Sequence, residues 1–222
     1  MDKIIKLYGE ISPIENLLAM HFGAMLDYDL EEDNLDIRLC VFNVTSEEIS
    51  QIEQVFDEQI YNNADISLQQ TLVDFLSENN LTIAIAESCT GGTLCAKITE
   101  VPGASEVFYE GVVSYTNSSK QLRLGVKRDT LIKYGAVSKE TALEMAKGVL
   151  DDKADIGISI TGIAGPKGGS LEKPVGLVYI AVVSDIGQDV FEFIFSGGRE
   201  EVRQKSVNTA LYKAFLHIMK YY

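Results

Sequence analysis

A short apolar run that ends in hydroxyl residues and paired glycines constrains the fold of this chain most. Residues 83–86 are apolar and of strand length, and Ser88, Thr90, Gly91 and Gly92 follow within six positions. An amphipathic pattern begins directly afterwards. This order predicts a buried strand that leads into a helix, the unit from which α/β sheets are built. The free backbone N–H groups at such a helix start suit an anion or an oxyanion.

Strand and helix patterns continue to alternate towards the carboxyl terminus. Predicted strands lie at residues 108–115, 155–161, 176–184 and 189–195, the last two as a hairpin. Predicted helices lie at residues 68–76, 90–99, 129–134, 138–151 and 199–221, and a further short helix contains Lys120. Strands and helices alternate, and the hairpin at the end adds an antiparallel pair. This pattern predicts an α/β domain of three layers with a mixed sheet, over residues 65–222.

The first 64 residues differ from the rest in charge. They hold 14 acidic and 3 basic residues, for a net charge of −11, whereas the remaining residues contribute −3 of the total of −14. Their hydrophobic pattern predicts strand, helix, strand and helix, which makes residues 1–64 a small α+β domain. Because a phosphate backbone attracts positive charge, this acidic surface argues against nucleic-acid binding.

Several classes of protein are excluded by composition. No apolar run approaches the roughly 20 residues that cross a bilayer, and the first residues lack the features of a signal peptide. The three cysteines, Cys40, Cys89 and Cys95, have no C-x-x-C spacing, which argues against a disulfide framework or a zinc ribbon. We therefore expect a cytoplasmic protein with reduced thiols and no membrane partner.

The glycine-rich turns do not match the common cofactor motifs. Neither a P-loop nor a G-x-G-x-x-G pattern is present, so we expect no nicotinamide or flavin cofactor. Glycines nevertheless follow or precede predicted elements at residues 90–92, 162–169 and 197–199. Single glycine turns are usually structural, but three of them together with Arg199, whose guanidinium can bind a phosphate in a forked geometry, indicate a phosphorylated small ligand.

The scarcity of histidine narrows the possible chemistry. The two histidines, His21 and His217, lie away from the glycine-rich turns, which disfavours both metal sites and Ser-His-Asp triads. A nucleophilic Ser88 would then need lysine or tyrosine as its base. Tyr115 and Lys120 form the best candidate segment, although spacing alone favours a core tyrosine and a solvated lysine. Cys89 is a rival nucleophile or simply a buried thiol.

Four motifs carry a resemblance to a known family. AESCTGG at 86–92, VSYTNSSK at 113–120, GAVS at 135–138 and TGIAGPKGGSLEKPVG at 161–176 resemble the C-terminal domain of the CinA family, in the family's order. The resemblance covers roughly residues 67–222. It implies an amidohydrolase that converts nicotinamide mononucleotide to nicotinic acid mononucleotide and ammonia, without a cofactor or metal. It also implies a nucleotide as the small-molecule partner and a homodimer.

The resemblance assigns roles to individual residues. The family's serine nucleophile corresponds to Ser88, and its tyrosine and lysine correspond to Tyr115 and Lys120. Residues implied in holding the substrate or its oxyanion are Cys89, Thr90, Gly91, Gly92, Thr161, Gly162 and Arg199. Where many members have Gly-Asp-Arg before the last helix, this chain has Gly-Gly-Arg at residues 197–199.

The amino-terminal residues resemble another part of the same family. In full-length members a small linker domain precedes the amidohydrolase domain, and residues 1–64 resemble that linker. The large molybdopterin-binding-like domain of the full-length proteins is not in this sequence, so we expect no ADP-ribose pyrophosphatase activity. The alternative function is a non-catalytic nucleotide-binding or regulatory module linked to competence or DNA damage.

Overall fold

The chain divides into two compact units. A computed structural model describes residues 1–150 and 154–222, and the units are Met1–Thr71 and Leu72–Tyr222. The predicted end of a helix at Asp151 lies outside the described residues. Within the described ranges, every helix is too short or too polar to cross a membrane.

The first unit is a four-stranded antiparallel sheet with two helices. Its strand order is β2-β3-β1-β4. The elements are β1 (Lys3–Tyr8), α1 (Ile11–Phe22), β2 (Asp27–Asp33), β3 (Asp36–Phe42), α2 (Ser46–Val55) and β4 (Ile60–Asn62). Its core contains the fully buried Ile5, Leu18 and Phe56.

The predicted order of strand, helix, strand and helix was wrong because it omitted β2 and β4. In β2 only Tyr28 and Leu30 pack against the core, and the other five positions are exposed. All of those five are acidic, so the strand has too little apolar alternation to be recognised. β4 has three residues, which is too short for a periodic signal. The α+β class predicted for this region is confirmed.

The second unit contains a five-stranded mixed sheet, as predicted, in the order β6-β5-β7-β8-β9. The helices are α3 (Leu68–Glu78), α4 (Thr93–Thr99), α5 (Asn117–Leu124), α6 (Arg128–Tyr134), α7 (Lys139–Leu150) and α8 (Arg199–Tyr221). The strands are β5 (Ile83–Glu87), β6 (Phe108–Val113), β7 (Ile156–Gly162), β8 (Leu177–Ser184) and β9 (Gln188–Ile194). β6, β5 and β7 run parallel, whereas β8 and β9 form an antiparallel hairpin.

Small residues let helix α7 approach one face of this sheet. Ala84 and Ala86 pack against Met145 of the helix. A Cβ atom at Gly157 would lie only 2.3 Å from the carbonyl oxygen of Ala146, so glycine is required there. Helices α4 and α8 pack together on the other face, which completes the three layers of an α/β fold.

The parallel strands bring the predicted functional segments together. β5 ends immediately before Ser88, β6 ends before Ser114, and β7 ends at Gly162. Because parallel strands have their carboxyl ends at one edge of a sheet, these three positions meet at the place where α/β folds usually bind ligands.

Candidate active site

A cavity of about 230 Å³ lies at this edge of the sheet. It is lined by seven of the ten residues expected at the site, namely Ser88, Cys89, Tyr115, Lys120, Thr161, Gly162 and Arg199. The other three, Thr90, Gly91 and Gly92, do not line it. The structure therefore joins residues that lie more than 100 positions apart in the sequence.

Ser88 and Lys120 are in direct contact inside this cavity. The Lys120 Nζ atom lies 2.8 Å from Ser88 Oγ and 2.6 Å from the Ser114 carbonyl oxygen. Lys120 is fully buried although it lies on a short surface helix. The helix begins after Thr116, whose hydroxyl accepts a hydrogen bond from the Ser119 amide, and this start places Lys120 on the inward side.

The environment of Lys120 increases the share of its neutral form. Burial lowers its pKa from 10.5 to about 8, because a charged ammonium is disfavoured away from water. The Ser114 carbonyl can only accept a hydrogen bond, so an N–H of Lys120 points to it. The lone pair of a neutral Nζ is then available for the hydroxyl proton of Ser88, which is the geometry of a base beside a nucleophile.

The turn after Ser88 uses some of the amides that were expected to hold an oxyanion. The Gly91 amide donates to the Ser88 carbonyl over 3.2 Å, and the Gly92 amide donates to the Glu87 carboxylate over 2.9 Å. The expectation that all amides from Cys89 to Gly92 are available is therefore wrong for Gly91 and Gly92. Their role is conformational, since their φ angles of +66° and +102° favour glycine. In the described parts of the chain, the Cys89 and Thr90 amides donate to no oxygen acceptor.

Thr90 is held from outside the cavity by a residue that the sequence prediction missed. Arg203 donates to the Thr90 carbonyl over 2.9 Å and to the Thr93 hydroxyl over 2.6 Å. Arg203 is one helical turn beyond Arg199, and that spacing of four was the available signal. The buried Thr90 hydroxyl has no hydrogen-bond partner among the residues described.

Cys89 lines the cavity as a neutral thiol. Burial raises its pKa to about 12, although the adjacent Lys120 and the backbone amides of Cys89 and Thr90 oppose the rise. A thiolate is the nucleophilic form of cysteine. The structure therefore favours Ser88 over its neighbour as the nucleophile.

Tyr115 and Arg199 form a pair at the mouth of the cavity. Arg199 donates to the Tyr115 hydroxyl over 3.2 Å and to the Gly165 carbonyl over 2.8 Å. Tyr115 is 60% exposed, and within the described residues it makes no hydrogen bond to Ser88 or Lys120. In this structure Lys120, and not Tyr115, is therefore the candidate base in contact with Ser88.

Thr161 and Gly162 line the cavity at the end of β7, the strand beside the nucleophile turn. The Thr161 hydroxyl donates to the Ala136 carbonyl over 2.8 Å, which leaves its oxygen lone pairs to accept further bonds. A Cβ atom at Gly162 would lie 2.7 Å from the Leu177 carbonyl oxygen, so only glycine fits. Lys167 also lines the cavity and is exposed. The sequence prediction included its loop but not this side chain.

A second polar array contains a serine, a histidine and an aspartate but lies outside the cavity lining. His217 Nε2 is 2.9 Å from Ser184 Oγ, and its Nδ1 is 2.7 Å from Asp189 Oδ2. Since the carboxylate only accepts, Nδ1 carries the proton and Nε2 accepts from the Ser184 hydroxyl. His217 is buried and both of its ring nitrogens are paired, so it is a structural histidine, away from the cavity as the sequence indicated.

Comparisons with known proteins agree on one family. The sequence profile of the CinA C-terminal domain matches residues 65–217. A competence-damage inducible protein from Clostridium tetani is 52% identical over 162 residues, which are 72% of this chain and 40% of that protein. A CinA-like protein from Kosmotoga olearia is 48% identical over 162 residues, again 72% of this chain but 39% of the relative. The chain thus spans about two fifths of the length of these relatives.

Solved structures give the same result for the fold. The competence/damage inducible protein CihA from Agrobacterium tumefaciens has a TM-score of 0.64 and 41% identity, with 69% of this chain and 93% of that chain covered. A CinA superfamily protein from Klebsiella pneumoniae has a TM-score of 0.67 and 30% identity, with 69% and 97% covered.

Proposed function

The chain belongs to the family of the CinA C-terminal domain, and from this we propose that it is an amidohydrolase acting on nicotinamide mononucleotide. The products are nicotinic acid mononucleotide and ammonia. The observation that carries the proposal is the 2.8 Å contact between Ser88 Oγ and the buried Lys120 Nζ inside the cavity. A nucleophile beside a base of lowered pKa is the arrangement that acyl transfer from an amide requires.

In the first half of the reaction, neutral Lys120 takes the proton of the Ser88 hydroxyl. Ser88 Oγ then attacks the carboxamide carbon, and the carbonyl oxygen becomes an oxyanion. The amide of Cys89, a residue that lines the cavity, is the donor proposed to hold it, and such a donor contributes about 3–4 kcal/mol in other acyl-transfer enzymes. The carbon–nitrogen bond breaks as Lys120 returns its proton to the leaving nitrogen, which departs as ammonia.

Water completes the second half of the reaction. Lys120 accepts a proton from a water molecule, whose oxygen attacks the ester formed on Ser88. The carbon–oxygen bond to Ser88 breaks, and Lys120 gives the proton back to Ser88 Oγ. The product is the pyridine carboxylic acid, and the side chains return to their starting protonation states.

The rim of the cavity supplies the groups proposed to bind the rest of the nucleotide. A cavity of about 230 Å³ suits the pyridine carboxamide end rather than a whole nucleotide. Arg199 and Lys167 carry positive charge at the lining, and both attract a phosphate. We propose that Thr161 accepts from the amide nitrogen and that Tyr115 keeps Arg199 in place. We also propose a homodimer, which analytical ultracentrifugation of the purified chain can measure.

Ammonia release from a panel of substrates tests the proposal. We expect the wild-type chain to act on nicotinamide mononucleotide, with the acid product identified by mass spectrometry. Ser88→Ala and Lys120→Met should lose the activity, and Ser118→Ala, an exposed serine on the Lys120 helix, should keep it. Binding of the nucleotide by the wild type without ammonia release would instead support the non-catalytic module linked to competence or DNA damage.

A further inference from the structure

Glu87 is a buried carboxylate with no role in the steps above. It is the last residue of β5 and is fully buried. Its oxygens accept from the backbone amides of Gly92 over 2.9 Å, Leu94 over 3.2 Å and Cys95 over 2.8 Å. In the described residues it forms no ion pair with lysine or arginine. Its hydrogen bonds are thus directed to the start of helix α4.

This arrangement changes what the start of α4 can do. The amides at a helix start ordinarily attract an external anion, but here the chain's own carboxylate uses three of them. Burial of a carboxylate is costly unless its lone pairs are satisfied, and the partial positive charge of the helix start supports it. A substrate phosphate is therefore excluded from this helix start.

The same contacts fix the conformation of the turn that carries the nucleophile. Glu87 precedes Ser88, and its side chain bonds to Gly92 at the far end of the turn. The Ser88 amide donates to the Ile160 carbonyl of β7 over 3.0 Å. Both ends of the turn are consequently attached to the sheet. Of the three amides between them, those of Cys89 and Thr90 donate to no oxygen acceptor in the described chain, and of these two residues Cys89 lines the cavity.

We propose that Glu87 is a positioning residue, which holds the turn in the shape that presents the Cys89 amide to the oxyanion. This inference rests on the proposed function, since it needs an acyl-transfer step at Ser88. Glutamine at position 87 has one carbonyl oxygen, and its NH₂ group faces amide donors that need an acceptor. The turn of a Glu87→Gln variant should therefore shift while Ser88 and Lys120 keep their chemical groups.

Two readouts separate this inference from the proposed function. Ammonia release reports the complete reaction, and covalent labelling of Ser88 by a fluorophosphonate, followed by intact mass, reports serine activation and the oxyanion site without the nucleotide. Glu87→Gln should lower kcat about 10- to 100-fold, because the loss of a whole oxyanion donor costs about 100- to 1000-fold. KM should stay within about twofold, and the labelling rate should fall in parallel with kcat.

A matched control is available on another helix. Glu144 accepts from the Lys127 amide over 2.8 Å and from the Thr130 hydroxyl over 2.7 Å, at the start of α6, and it does not line the cavity. Glu144→Gln should lose stability, as Glu87→Gln does, because its NH₂ group also meets donors that need an acceptor. It should keep the wild-type kcat and labelling rate. Glu87→Asp, which shortens the side chain, is the second variant if Glu87→Gln does not fold.

Wild-type kcat and labelling rate in a folded Glu87 variant would overturn the positioning role. Equal losses in the Glu87 and Glu144 variants would also overturn it, because they would show general destabilisation. A wild-type chain that is labelled at Ser88 but releases no ammonia would refute the proposed function, and slower labelling of Glu87→Gln would still support the positioning role. Ser88→Ala is the blank for both readouts.

Discussion

The pH dependence of the reaction is the sharpest consequence of the buried lysine. With a pKa of about 8, about 9% of Lys120 is neutral at pH 7, against about 0.03% at the ordinary value of 10.5. Burial therefore raises the concentration of the base about 300-fold at neutral pH. Because only the neutral form can take the Ser88 proton, kcat/KM should rise about tenfold between pH 7 and pH 9 and then level off.

The assay is the initial rate of ammonia release from nicotinamide mononucleotide between pH 6 and pH 10. Lys120→Met should lose about 100- to 10,000-fold in kcat, the usual contribution of a general base. Lys120→Arg should be equally inactive because a guanidinium stays protonated. Arg123→Met removes an exposed charge from the same helix and should keep the wild-type profile. A profile that is flat from pH 6 to pH 9, or that has its midpoint near 10.5, would refute the assignment of Lys120 as a buried base.

Three further predictions concern stability. The folded chain holds Lys120 at a lowered pKa, so the unfolded chain binds more protons between pH 8 and pH 10.5. The unfolding free energy of the wild type should therefore rise with pH by about 3 kcal/mol relative to Lys120→Met. Burial also lowers the pKa of His217, although Asp189 opposes this. The contribution of neutral His217 to the unfolding free energy should consequently be fully present above about pH 6.5 and be lost as the pH falls below it. His217→Gln should reduce this dependence of the unfolding free energy on pH. Gly162→Ala should lower the unfolding free energy by about 1–3 kcal/mol, since its Cβ would contact the Leu177 carbonyl.

Urea unfolding at a series of pH values measures all three effects. Parallel curves for the wild type and Lys120→Met above pH 8 would contradict the linkage, as would parallel curves for His217→Gln below pH 6.5. Gly23→Ala is a comparison for Gly162→Ala, because its Cβ would meet no atom within 4 Å and its cost would come from the backbone alone. A Gly162→Ala variant that keeps the wild-type unfolding free energy would show that the close approach at Gly162 is not limiting.

The amino-acid sequence by itself determined most of the secondary structure of the second unit and the family to which the chain belongs. Apolar periodicity is a local property, so the strands at residues 83–87 and 156–162 and the last helix could be located from their own residues. The scarcity of histidine and the absence of cofactor motifs are also readable without a fold, and they favour lysine or tyrosine as the base for a nucleophilic Ser88. The acidic strand β2 was not predicted, because five of its seven residues are acidic and exposed, which leaves too few apolar positions to show alternation.

Only the tertiary structure decided how the candidate site is built. Lys120 meets Ser88 because two parallel strands end side by side, and its lowered pKa exists only because the folded chain excludes water. The same burial makes Cys89 a poor nucleophile. The choice of Glu87 as the acceptor for Gly92 depends on where helix α4 begins in space. Hydrogen-bond partners and desolvation depend on distant parts of the chain, and local sequence patterns contain no information about them.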